Sequence, residues 1–116
     1  MIEEILVFRD LIQVYHWTTR NYEQHVAVGN LYDALLPLID SFFETYQMED
    51  RITFNKNIPL KNMNEKDFMN MIKSFSIWLS SPEFDNKVCK NRSELMNIRD
   101  EMLASVNKTI YLLSLK

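Results

Sequence analysis

The stretch "NYEQHVAVGNLYDALLPLIDSFFETYQM", residues 21–48, decides the fold. Val28, Leu31, Leu35, Leu38, Phe42 and Tyr46 recur at helical spacing, and Tyr32, Leu36, Ile39 and Phe43 form a second flank beside them. The pattern predicts one long helix over residues 21–48. Its apolar coverage is broader than a single packing face needs, which points to an extra buried surface such as a subunit contact. Pro37 lies in the middle and removes one backbone donor; because the pattern stays in phase on both sides, a kink is expected rather than a break at Leu36.

Three further helices follow from the same reading. The first covers about Ile2 to Thr19, with Ile5, Phe8, Ile12 and Tyr15 as its stripe and Ile2, Leu6 and Leu11 at the margins. Residues 51–64, "RITFNKNIPLKNMN", show no period and contain Pro59 and four Asn, so they form a long connecting loop. Asn64 is placed to cap a third helix, with Glu65 and Asp67 in its first turn near the positive dipole end. Phe68, Met71, Ile72, Phe75, Trp78 and Leu79 line that helix. In "SSPEFD", residues 80–85, Ser81 suits a cap and Pro82 a first helical position. The last helix begins at Asn86 or at Ser93 and ends near Leu115, with Leu95, Ile98, Met102, Val106, Ile110 and Leu113 on one face.

Composition agrees with an all-α reading. One Gly and three Pro in 116 residues are too few for the turns a sheet protein needs. A single domain spanning residues 1–116 is expected, an all-α four-helix bundle. The net charge of −3 does not suit a protein that holds duplex DNA by counterion release, so a nucleic-acid partner is not expected. Cys89 is alone, so no internal disulfide forms, and a packing or solvent-edge position is expected for it. No uninterrupted apolar run approaches the roughly 18 residues of a membrane span. The start, "MIEEILVFRD", is acidic and amphipathic, unlike a signal peptide. The expectation is an intracellular, cytoplasmic protein without a membrane partner.

The chemistry gathers on five residues. His16 and His25 are the only two histidines and lie nine positions apart. Asp40 and Glu44 are spaced i, i+4 on the second helix, so their carboxylates share a face. His25 precedes Asp40 by fifteen positions, a net rotation of about 60°, and Asp33 lies about 20° from Asp40. Fifteen helical residues span about 22 Å, so His25 and Asp40 of one chain cannot share an ion. A second copy packed antiparallel across a two-fold axis brings the histidine pair of one chain to the carboxylate pair of the other. A homo-oligomer, at least a two-fold dimer, is therefore expected. Imidazole and carboxylate together suit iron, with zinc and manganese as alternatives.

Simpler readings stand beside these. His16 with Trp17 could be a packing pair at a helix end, where the dipole favours an imidazolium. Asp40 and Glu44 could be a solvated face, and Asp100 with Glu101 a charged outer face rather than a second metal cluster. Met69, Met71, Met96 and Met102 read as core fillers. Gly29 costs its helix about 1 kcal/mol relative to Ala and permits close approach of a neighbouring helix. No Gly-rich phosphate loop and no nucleophile–base arrangement is found.

The stretch "HWTTRNYEQHVAVGNLYDALLPLIDSFFETY", residues 16–46, resembles the first-to-second-helix region of the Dps mini-ferritins of the ferritin-like superfamily. The shared pattern is His16-Trp17, then His25 early in the second helix, then Asp40 and Glu44. The resemblance implies a ferritin-like bundle with an inter-subunit site where iron binds and Fe(II) is oxidised. It covers about a third of the chain. Gly29 stands where that family carries an acidic ligand four positions after its second histidine; Asp33, one turn on, is the substitute. The two histidines are also closer together than the family's usual dozen or so positions, and no basic N-terminal tail is present, so DNA protection is not implied. The C-terminal "NIRDEMLASVNKTIYLLSLK", with the short length, resembles a family of ferritin-like proteins of large double-stranded DNA viruses.

Overall fold

Asn21 closes the first corner of the chain and opens its longest helix. Its backbone is extended, and its side chain accepts the Gln24 N–H at 3.0 Å, satisfying one of the donors that every helix start leaves free. The computed structural model describes residues 1–115. They form α1 (Glu4–Thr18), α2 (Tyr22–Tyr46), α3 (Glu65–Leu79), a π-helical turn at Phe84–Val88, and α4 (Ser93–Ser114). No strand occurs among the described residues.

The helix ends follow their sequence signals. Asn64 accepts the Asp67 N–H at 2.8 Å to start α3. Ser81 accepts the Phe84 N–H at 3.1 Å while donating to the Trp78 carbonyl at 2.6 Å, so one hydroxyl both ends α3 and opens the π turn. Of the two starts read for the last helix, Ser93 is the observed one, because Asn86 is taken up by the π turn. Lys90 and Asn91 turn the chain there with φ of 54° and 56°, a left-handed pair that costs conformational energy at non-glycine residues. Arg92 offsets that cost by donating to the Thr45 carbonyl at 3.1 Å, neutralising the negative end of α2.

Packing is antiparallel around most of the core. His16 lies against His25, joining the top of α1 to the start of α2. Phe8 stacks on Phe75 and Tyr15 on Phe68, with centroids 3.7 and 3.8 Å apart, so α1 and α3 also run in opposite directions. Ser76 donates to Asn107, and Arg99 donates to the Leu79 carbonyl, which sets α4 against α3. α2 and α3 therefore point the same way. Residues 47–64 must carry the chain back along the molecule, whose long axis is 43 Å. Eighteen extended residues reach about 60 Å, ample for that crossing. On the way Phe54 stacks with Phe43 and Lys56 pairs with Glu4. Enclosed by α2, the aromatic stacks and this crossover, α1 exposes no residue from Glu4 to His16.

The core departs from the expected stripes where α2 drifts around its axis. Its buried apolar residues are Val28, Leu31, Leu35, Ile39, Phe42 and Phe43, whereas Leu38 and Tyr46 are half-buried and Leu36 is exposed. Burial follows the turn of an α-helix, and a strict seven-residue repeat slips off it by about 20° per heptad. On α4, Arg99 and Thr109 are buried alongside Leu95, Met102 and Val106. Arg99 is tolerated because its guanidinium also pairs with Asp85 and Asp100. Cys89 is fully buried, a core residue rather than an edge one. Of the methionines read as fillers, Met102 is buried and Met69, Met71 and Met96 pack at the core margin. Pro37 does not break α2, which continues to Tyr46. α2 is long and apolar enough to cross a membrane, with mean hydropathy 1.3, yet it is the central packing helix here, touching both α1 and α4.

Candidate functional site

The α1–α2 corner brings the two histidines face to face. Their rings stack with centroids 4.0 Å apart and planes 13° off parallel. Each Nδ1 lies 2.7 Å from the backbone carbonyl of the other histidine. A carbonyl only accepts, so both Nδ1 atoms carry the proton and donate. A neutral ring held this way is the Nδ1–H tautomer, which leaves Nε2 as the nitrogen with the lone pair, and neither Nε2 has a protein partner among the described residues. That is the preparation a metal-binding imidazole needs: one nitrogen tied down to aim the other.

Gly29 makes the stack possible. A Cβ built there would lie 2.6 Å from Cε1 and 2.8 Å from Nδ1 of His16. The close approach expected at Gly29 is thus made within the chain, by a side chain of α1. His16, His25, Gly29 and Asp33, with Gln13, Tyr22, Asn30 and others, line an open cavity of roughly 340 Å³. Asp33 is exposed on its rim.

Asp40 and Glu44 lie together near the far end of α2, away from this cavity. Both are exposed, and neither is paired with a cation among the described residues. A hydrogen bond to the Asp40 carboxylate, and the negative charge beside it, hold Glu44 above the ordinary carboxylate range. Asp40 lines a separate cavity of roughly 520 Å³ with Leu6, Arg9, Leu36, Ile39, Phe43 and Phe54. The five candidate residues therefore form two groups, the histidines with Asp33 and the two remaining carboxylates. Among the described residues of the single chain, no group of three or more metal-ligating side chains could hold one ion.

The family of unknown function DUF5856 matches residues 16–113, most of the chain. The chain belongs to the DUF5856 family. No curated protein and no solved structure matches it. The matched span of this DUF5856 chain contains both histidines, Gly29 and all three acidic candidates.

Two features of the DUF5856 corner escape a reading based on periodicity. Trp17 does not pack beside His16 but stands 67% exposed. Gln24 is buried and bridges three helices: its Oε1 accepts from the Tyr15 hydroxyl, and its Nε2 donates to Glu65 at 2.9 Å. Burial pushes the Tyr15 phenol up, favouring the protonated form that makes this bond. One signal for Gln24 was present. It sits one turn before Val28 on the core side of α2, and a polar group there needs a partner. The chain locks the backbone beneath both imidazoles through this network.

Proposed function

We propose that this DUF5856 chain is a ferritin-like four-helix bundle that binds iron between two antiparallel copies and oxidises it there. His16 and His25 of one copy and Asp40 and Glu44 of the other would be the ligands, with Asp33 at the edge; zinc or manganese are the alternative ions. The anchored histidine pair, both Nε2 atoms unpartnered, is the observation that carries this reading. The single long crossover between parallel α2 and α3 supports the ferritin-like topology.

The outward face of α2 supports the pairing. Tyr22, Val26, Asp33, Leu36, Asp40 and Glu44 are exposed along it, with Gly29 half-exposed between them. Only 33% of the most apolar window of α2 is buried within the chain. Pairing two such helices antiparallel about a point between Tyr32 and Asp33 sets His25 opposite Asp40 of the mate and Tyr22 opposite Phe43. Parallel pairing sets acid against acid instead. Iron supplies the redox step. The chain orients both imidazoles through their Nδ1 bonds, gathers carboxylates that neutralise the cation, and excludes water with the apolar residues of α2.

The test is Fe(II) addition in air, followed by ferric absorbance, with Co(II) coordination bands as a redox-independent readout. Wild type should take up metal, and His25→Ala and Asp40→Ala should each lose it. No uptake by wild type would overturn the reading. A second reading, an interaction module whose metal site has decayed, is favoured by one observation: the position of the missing acidic ligand is Gly29, and His16 occupies the space a side chain there would need.

A further inference from the structure

The largest exposed aromatic side chain and a cavity of mixed apolar and charged lining lie at opposite ends of the α1–α2 hairpin. Trp17 is 67% exposed, and its indole N–H has no partner among the described residues. The cavity of roughly 520 Å³ lies between Leu6 and Arg9 of α1, Leu36, Ile39 and Phe43 of α2, and Phe54 of the crossover, with Asp40 on its edge. Arg9 spends Nε on Asp10 at 2.9 Å, and its terminal nitrogens have no carboxylate partner among the described residues. The cavity thus offers what an indole takes up: aromatic and aliphatic walls, a carboxylate to accept Nε1–H, and a guanidinium for the ring face.

We infer that the occupant is Trp17 of a second copy of this chain, an inference that rests on the two-fold pairing proposed above. The register follows from the hairpin. Trp17 adjoins His16, which stacks on His25, so its level along α2 is that of residues 24–25. Antiparallel pairing about the point between Tyr32 and Asp33 brings that level to residues 40–41 of the mate, where Asp40 meets the cavity. A two-fold axis perpendicular to the helices keeps both α1 helices on the same side of the α2 pair. The C-terminal end of one α1 therefore faces Leu6 and Arg9 of the other. The contact occurs twice, each copy giving one indole and receiving one. The same pairing brings Arg20 towards Asp40 and Glu44, neither of which has a cation partner among the described residues.

Sedimentation of the metal-free protein in chelator tests this, with 5-fluorotryptophan reporting each indole by fluorine NMR. Wild type should dimerise, and dilution should shift the Trp17 resonance but not that of Trp78. Trp17→Ala should weaken the dimer about thirtyfold or more, as expected for a central aromatic anchor, with Trp17→Phe intermediate. Leu36→Glu, on the receiving side, should do the same. Both positions are exposed, so unchanged helicity and urea midpoint of the monomers show that folding is intact. A wild type monomeric up to about 1 mM overturns the inference. So does a dimer indifferent to Trp17→Ala, or one in which only Leu36→Glu has an effect. Because no metal is present, a dimer that behaves as expected while Fe(II) and Co(II) fail to bind sinks the metal reading alone.

Discussion

Replacing Gly29 with Ala should destabilise this protein, although helix propensity says the opposite. In an unencumbered helix interior, Ala is better than Gly by about 1 kcal/mol. Here the new Cβ would meet Cε1 of His16 at 2.6 Å and Nδ1 at 2.8 Å. Carbon atoms in contact sit at about 3.5–4.0 Å, so the ring must retreat by about 1 Å. It has no free direction in which to do so cheaply. One edge is held at 2.7 Å to the His25 carbonyl, and one face lies on the His25 ring. Losing that hydrogen bond costs about 0.5–1.5 kcal/mol, with the His25 carbonyl keeping its helical partner, the Gly29 N–H, and disturbing the ring stack costs about 0.5–1.5 kcal/mol more. Against the gain in propensity, the net expectation is a loss of about 1 kcal/mol. A double-mutant cycle isolates the cause. In the His16→Ala background the obstacle is gone, and Gly29→Ala should stabilise by about 1 kcal/mol. Urea unfolding of the four proteins in chelator, at one low concentration, measures both steps. If Gly29→Ala is as stable as wild type while His16 is present, the stacked geometry is wrong.

Two further outcomes follow from the ionisable groups. Glu44 holds its proton more tightly folded than unfolded, so its contribution to stability is present below the ordinary carboxylate range and lost as pH rises through its raised value. Asp40→Asn removes the charge responsible, so its urea midpoint relative to wild type should rise between pH 4 and pH 7; a constant difference across that range refutes the coupling. Cys89 is fully buried, and burial pushes its thiol up to about 11, so it is neither accessible nor ionised at pH 8. A disulfide reagent should leave it untouched in the native protein and titrate it promptly in urea; prompt native reaction would refute that burial.

What was legible in the sequence divides along a physical line. Helices α1 to α4 were readable because each signal is local: Asn21, Asn64 and Ser81 cap as their positions require, and Phe68, Ile72, Phe75 and Leu79 repeat with the turn of the helix that buries them. Arg99 was not readable as a buried residue, because its partners come from elements that only folding brings near, the end of α3 and the π turn. The candidate site shows the same division. Spacing alone places Asp40 beside Glu44 and sets both far from His25, and the structure keeps them apart. That His16 stacks on His25 with both Nδ1 atoms on main-chain carbonyls depends on where a three-residue turn sends the chain, which periodicity does not encode. Gly29 joins the two levels. Read along the helix it is a weak point and a missing carboxylate; read across the helices it is the space in which His16 lies. Any account of this chain must therefore explain why α2 gives up about 1 kcal/mol of helix stability to hold one imidazole against another. A stack kept only for stability could be replaced by Ala at position 29 and an aliphatic residue at position 16, with propensity and burial both gained. Two rings oriented through Nδ1, at the edge of an exposed face of α2, are what the proposed pairing of two copies would explain, since it gives their Nε2 atoms something to meet.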